Sequence, residues 1–382
     1  MRYAPVILLL LLSTPCFLGA SDFGKTNPGM EVEEDENKYL RQLEEEAAKF
    51  RLHRVTVQMV AADDEAAKIA VAEGTKALAA QDWKKARKVA NKAFKRYKFS
   101  ASTTVAGDLK RIHVIAAANL GKILETRQEL GRLWLYFPDY AEVSEAMMMS
   151  LVAAEKAQAF TSIVHLERDR PSEVIDVNGS SQLAENDKLF RFLATYGDRV
   201  TVAPRAELGI ARSSLLTRDP TAMRGPQDSY ERFLTDHPRH ELSFIALTEL
   251  ALSHLVTYAG PEYDVGALAK ASGVIDLADT ETRGDPQRVA LVQAYRARIR
   301  SWFQDRDLTV ARWYADRHRP PWLSWLKDPS TRDWDTAARF YYQEVIKRDP
   351  ASTQARAATR ELEQLKPLEE ERLGGDVPAG KP

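Results

Sequence analysis

A chain of 382 residues, 44% of them hydrophobic and 29% charged, is long enough for one large domain or two ordinary ones and apolar enough to fold. Its 54 Lys and Arg against 55 Asp and Glu leave a formal net charge of −1, which argues against a protein that binds polyanions over its whole surface. Ala, Leu, Glu, Arg and Lys dominate, and Val and Ile rarely alternate with polar residues, so the expected class is all-α.

The first twenty residues read as a signal peptide. Arg2 supplies the positive end, Val6–Leu12 the apolar core, and Pro15 precedes the small residues Gly19, Ala20 and Ser21. The apolar run is too short to span a bilayer. Cys16, the only cysteine, is a candidate lipidation site, although Pro15 fits poorly where a small residue normally precedes a lipidated cysteine. Cleavage after Ala20 would instead leave a mature chain without a thiol, whose stability must come from packing. Either route exports the chain.

Residues 21–62 read as a linker, rich in Gly and Pro over Ser21–Met30, and an acidic amphipathic helix over Glu31–Leu52 with Leu40, Leu43, Ala47 and Phe50 on one face. Val55–Ala61 is expected to be a short extended connector. Asp63–Gln81 reads as a helix with Ile69, Ala70, Ala77, Leu78 and Ala80 available for packing. Asp82 then caps DWKKARKVANKAFKRYKFS, in which Ala86, Val89, Ala90, Ala93, Phe94 and Tyr97 form a buried face. The near absence of a loop forces the two helices antiparallel, and small residues at Gly74, Ala86 and Ala93 have the spacing of a tetratricopeptide (TPR) hairpin.

Thr104–Leu120 and Ile123–Tyr136 form a second hairpin, so that TPR-like repeats cover residues 63–140. A divergent helical segment, 141–225, holds the helix Glu142–Ile163, the loop Asp169–Ser181, and the helices Leu183–Tyr196 and Pro204–Leu216. Met147, Met148 and Met149 there are either core filling or an adaptable binding surface. Repeats resume over 226–366 with Gln227–His237, Leu242–Tyr258, Ala267–Ala278 and Pro286–Phe303, the last burying Val289, Leu291, Val292, Ala294 and Tyr295. A separate helix, Leu308–His318, pairs with Trp334–Lys347 across an insertion at 319–333, and Thr353–Leu365 caps the array. The tail over 367–382 reads as disordered. The expected fold is therefore an all-α, TPR-like helical-hairpin solenoid.

No catalytic, cofactor-binding or metal-binding residues are expected, and the chain does not read as an enzyme. The seven histidines are dispersed; His237 and His240 flank Pro238 and Arg239 without carboxylate or thiol neighbours in the turn. No serine sits in a glycine-flanked elbow and no glycine-rich loop follows a strand. Lys84, Lys85, Arg87, Lys92, Lys95, Arg96 and Lys98 form a basic cluster, read as a solvated face with the acidic runs Glu31–Glu36 and Glu44–Glu46 as neighbours rather than as a nucleic-acid site. In the insertion, Pro320, Pro321, Trp322, Leu323, Trp325 and Leu326 are candidate partner-contact residues, or else a flap folded back over two helices.

Four blocks share an aromatic-bearing helix closed by a polar turn, and they carry a family resemblance. VAEGTKALAAQDWKKARKVANKAFKRYKFS resembles the first repeat of the BamD-type outer-membrane lipoproteins, with Lys98 where that family's turn has proline. LYFPDY is similar to the close of the second repeat, and DSYERFLTDHPRHELSFIALTEL to a later one. VARWYADRH with DTAARFYYQEVIKRDPASTQARAATRELEQL resembles the last. These blocks run over about Val71–Tyr140 and Pro226–Leu365.

The resemblance implies a non-catalytic scaffold on the periplasmic side of the outer membrane, anchored or peripheral. Its partners would be the core subunit of the β-barrel assembly machinery and unfolded outer-membrane protein clients. The Ala66–Tyr97 and Thr104–Tyr136 hairpins would face clients, and the repeats around Trp313–Ile346 the machinery. A general periplasmic TPR adaptor for cell-wall or polysaccharide-export machinery is the alternative setting.

Overall fold

The computed structural model describes residues 28–58, 64–159, 162–164, 166, 175–177, 181–217, 224–258, 260, 265–316 and 331–365. The expected signal peptide with Cys16, the first linker residues, the insertion residues Pro320, Pro321, Trp322, Leu323, Trp325 and Leu326, and the tail over 367–382 lie outside them.

Helix α1 (Pro28–Gln58) leads into two hairpins, α2 (Glu65–Ala79) with α3 (Trp83–Tyr97), and α4 (Thr103–Asn119) with α5 (Ile123–Tyr136). Helix α6 (Val143–Ala159) is followed by strands β1 (Ser162–Val164) and β2 (Ile175–Val177), then α7 (Ser181–Tyr196), α8 (Ala203–Thr217) and α9 (Arg224–Asp236). The series closes with α10 (Ser243–Val256), α11 (Gly266–Thr280), α12 (Pro286–Asp316), α13 (Thr331–Arg348) and α14 (Thr353–Gln364). The chain is all-α, with one two-stranded antiparallel pair among the described residues.

Two compact units meet in sequence at Ala246 and Leu247, inside α10. In the first, each helix from α2 to α8 packs on its successor, and α2 also packs on α4, α4 on α6, α5 on α7 and α6 on α8, the arrangement of a TPR-like stack of hairpins. In the second, α11 packs on α12, α12 on α13 and α13 on α14.

The hairpins are made by local chemistry. Asp82 accepts a hydrogen bond from the Lys85 N–H at 3.0 Å, the expected N-cap of α3. Before it, Asp82 N–H bonds Ala77 O and Gln81 N–H bonds Leu78 O, both at 2.9 Å, with Gln81 in the left-handed region at φ 56. The α4–α5 turn repeats that geometry with Gly121 at φ 68 and Lys122 N–H on Ala117 O at 3.1 Å. The four helix closures noticed in the sequence also share a bond, from the N–H of the fourth turn residue to the carbonyl of the first. It joins Ser100 to Tyr97, Tyr140 to Phe137, His240 to His237 and Ser352 to Asp349 at 3.1, 3.0, 3.2 and 3.2 Å. The first turn tolerates Lys98 in place of proline because the Lys98 N–H bonds Phe94 O at 2.9 Å.

Packing follows the small residues. The Tyr140 ring lies on Gly107, where an added Cβ would stand 2.6 Å from it, and a Cβ added at Gly74 would stand 3.2 Å from Ile112. Ala86, Ala90, Ala93 and Phe94 are buried on α3 as expected, and so are Leu43, Ala47 and Phe50 on α1. Met147 is buried and Met148 packs on the core as filling.

Four expectations are corrected. Val55–Gln58 belongs to α1 and is helical, because Arg54 just before it donates to Lys98 O at 2.8 Å and Ala101 O at 2.6 Å and holds the helix on that turn. Of the α2 residues expected to pack, Ile69 is 65% exposed and Ala80 is exposed, whereas Ala77 is buried with Ala67 and Gly74, and Ala70 and Leu78 pack partly on the core. The helix expected over Glu142–Ile163 ends at Ala159, and its β-branched end pairs Ile163 with Asp176 and Val164 with Ile175. The break expected between Phe303 and Leu308 does not exist: α12 runs through it. Gln304 and Asp307, polar in the sequence, are buried. Gln304 donates to Val345 O at 2.9 Å and Ser352 Oγ at 3.0 Å, and Arg348 donates to Asp307 at 2.9 Å.

Candidate functional site

The α3 sequence WKKARKVANKAFKRY carries seven cations and no acid. With its apolar face committed to the core, the cationic face turns outward. Two of these cations have internal partners: Lys85 reaches Glu73 of α2 at 3.2 Å, and Arg87 Nε donates to Glu125 of α5 at 2.7 Å. The exposed Lys84, Lys88, Lys92 and Lys95 form no ion pair with any described residue. They line a groove with Arg87 and Asn91 on the α3 side and with Leu120 and Lys122 from the α4–α5 turn on the other. The left-handed Gly121 reverses the chain tightly enough to bring Leu120 and Lys122 to that edge.

Beneath the groove runs a buried ion network. Glu125, which also receives Lys122 at 3.6 Å, accepts from His113 Nε2 at 2.9 Å. His113 Nδ1 lies 3.7 Å from Glu129, which accepts from Arg132 at 2.7 Å and from Lys110. The Lys110 ammonium also sits 4.2 Å from the centre of the Phe94 ring. Burial pushes the Lys110 ammonium down against the pull of Glu129. Burial raises the Glu129 and Glu125 carboxyls, but Lys110 with His113 and Arg132 outweighs it for Glu129, and Arg87 with His113 for Glu125, so both are lowered from the ordinary value. Burial also pushes the His113 imidazolium down, beyond what Glu125 and Glu129 restore.

These directions have one sign for stability. Below about pH 6.5 the unfolded chain takes a proton at His113 that the folded chain resists, so stability falls with acidification. Below about pH 4.5 the two glutamates extend the fall, since their folded forms hold protons less well than the unfolded ones. His113→Gln is expected to flatten the decline of the urea midpoint between pH 7.5 and 5.5. A residual slope remains from His254 of the second unit, whose imidazolium is also lowered by burial, and the arm below pH 5 persists. An unchanged slope would show that His113 titrates normally.

The structure brings the α2–α3 and α4–α5 hairpins together as one stack, and α12 against α13 around Trp313–Ile346. There Trp313 stacks on Trp334 at 6.4 Å, and Phe340 is 56% exposed. Of the expected acidic neighbours of the basic cluster, Glu46 lies by Arg132 at 3.9 Å and the side chains of Glu31–Glu36 lie outside the described residues, whereas Glu73 and Glu125 pair with α3. His237 does have a carboxylate neighbour, Glu207 of α8 at 3.0 Å, and among the described residues no group of three or more metal-ligating side chains forms. Sequence reasoning passed over Lys88, Asn91, Leu120 and Lys122. The signal for Lys88 was its position one helical turn after Lys84; the others needed the turn geometry. No protein-family model, no curated protein and no solved structure matches the chain.

Proposed function

We propose that this chain is a non-catalytic scaffold of helical repeats that holds protein partners, in the setting its sequence resembles. In that reading it works on the periplasmic side of the outer membrane, helping to assemble β-barrel proteins. The observation that carries it is the common closure of four helices: each block that resembles the BamD-type repeats ends in the same hydrogen-bonded turn. Hairpins stacked this way expose long helix faces that a single bundle would bury, which suits a protein whose work is contact.

The α2–α5 hairpins are then the client side, and the α12–α13 pair around Trp313–Ile346 the side toward the core subunit of the assembly machinery. Co-expression with that core subunit tests the reading. Co-purification of the two, lost when Trp313 and Phe340 are replaced by serine, is expected. Recovery only with wall-synthesis or polysaccharide-export components would reject it in favour of a general adaptor. Mass spectrometry of the mature N-terminus separates an anchored protein, with a diacylglyceryl Cys16, from a peripheral one that begins at Ser21.

A further inference from the structure

We infer that the lysine-lined groove between α3 and the α4–α5 turn docks an acidic polypeptide segment of a partner protein. Lys84, Lys88, Lys92 and Lys95 follow one another at spacings of four, four and three, so their ammonium groups form a single stripe along one edge of the groove. The stripe spans eleven residue-to-residue steps of helix, about 16 Å at ~1.5 Å per residue, which matches about five residues of extended chain at ~3.3 Å each. The carboxylates that pair with α3 or its neighbouring turn are engaged by other cations: Glu125 holds Arg87, His113 and Lys122, and Glu73 holds Lys85. The stripe therefore keeps uncompensated positive charge on a chain whose formal net charge is −1. A local field of that kind attracts an acidic segment without making the whole protein a polyanion binder. Asn91, in the same lining, offers an amide that can bond a peptide backbone.

The groove suits other anions less well. Among the described residues lining it there is no aromatic ring, so it has no platform on which nucleic-acid bases stack. Leu120 is its one apolar side chain among them, and the apolar face of α3 is spent in the core, which leaves nothing to insert into a bilayer. The inference deepens the scaffold reading by giving the chemistry of one partner, and it rests on that reading only for the partner being a protein.

The test uses the full chain and a fluorescein-labelled hexaglutamate peptide, with hexaglutamine as the neutral control. The acidic peptide is expected to bind in low salt, to weaken as salt rises, and to lose about tenfold or more in affinity for Lys84→Gln/Lys88→Gln/Lys92→Gln/Lys95→Gln. All four lysines are exposed, so this variant keeps the wild-type circular dichroism. Removing the same charge elsewhere, by Lys49→Gln/Lys68→Gln/Lys156→Gln/Lys270→Gln, is expected to leave binding within about twofold. Equal binding of the two peptides, equal loss in the two quadruple variants, or tighter binding to phosphatidylglycerol vesicles or to a single-stranded oligonucleotide would each overturn the inference. The outcome is independent of the pull-down: hexaglutamate binding without the core subunit removes the barrel-assembly setting alone, and the converse removes the groove alone.

Discussion

Replacing Glu129 by alanine is expected to destabilise the first unit by about 3–5 kcal/mol, the usual cost of stripping the counter-ion from a buried charge. The Lys110 side chain is 5% exposed and that of Glu129 is 10%, so neither charge has water to fall back on. Without Glu129, the Lys110 ammonium keeps the Phe94 face, a contact worth at most about 2 kcal/mol even when desolvated. It would also stand unscreened near His113, and among the described carboxylates Arg132 would retain Glu46 at 3.9 Å. The pair is not thereby a large net source of stability. Lys110→Met/Glu129→Leu, which removes both charges and keeps apolar volume, is expected to lie within about 2 kcal/mol of wild type. Urea denaturation of Lys110→Met, of Glu129→Leu and of the double variant closes a thermodynamic cycle. A Glu129→Ala cost below about 1 kcal/mol, the range of an exposed pair, would mean that the site is hydrated in solution.

The same network marks where the sequence is readable and where it is not. The ends of α5 are legible to the residue because apolar periodicity, a tight turn before and Pro138 after all agree. Asp82 is legible for the same reason: its short carboxylate has one strong local use, and the α3 periodicity begins behind it. Lys110 and His113 on α4, and Glu125 and Glu129 on α5, look like ordinary solvent positions because charged residues usually are. Only the packing of α4 on α5 turns those two faces toward each other. Gln304 and Asp307 misled in the same way. A polar run in a helical pattern suggests a break, yet tertiary partners on α13 and in the turn before α14 satisfy them and the helix continues. The groove was hidden for a geometric reason, since Lys88 lies on α3 and Lys122 in the α4–α5 turn, and the two meet only through the Gly121 reversal.

Phe50→Ala is expected to cost about 3–5 kcal/mol, the range for emptying a buried aromatic position, and to release α1 from the hairpins. Phe50 is 7% exposed and joins three elements through ring contacts alone. It stacks on Tyr136 of α5 at 4.2 Å, lies 5.3 Å from Phe99 in the turn after α3, meets Phe137 edge-on at 5.8 Å and faces Phe94 of α3 at 6.4 Å. The other α1 attachments are thinner. Leu43 rests on Gly131, Arg127 stacks over the Tyr39 ring at 4.5 Å, and Arg54 holds two carbonyls. Leu43 and Ala47 are buried on the same face and Leu40 packs partly on the core, but Phe50 is the largest buried apolar side chain among the described residues of α1, so the helix depends on Phe50 more than on its own propensity. Leu52→Ala on the same helix, at a site 73% exposed, is expected to change stability by less than about 0.5 kcal/mol. Hydrogen exchange reads the distinction directly. In Phe50→Ala the amides of residues 39–54 should exchange much faster while those of α4 stay protected; retained protection over 39–54 would show that α1 is held by something other than this aromatic cluster.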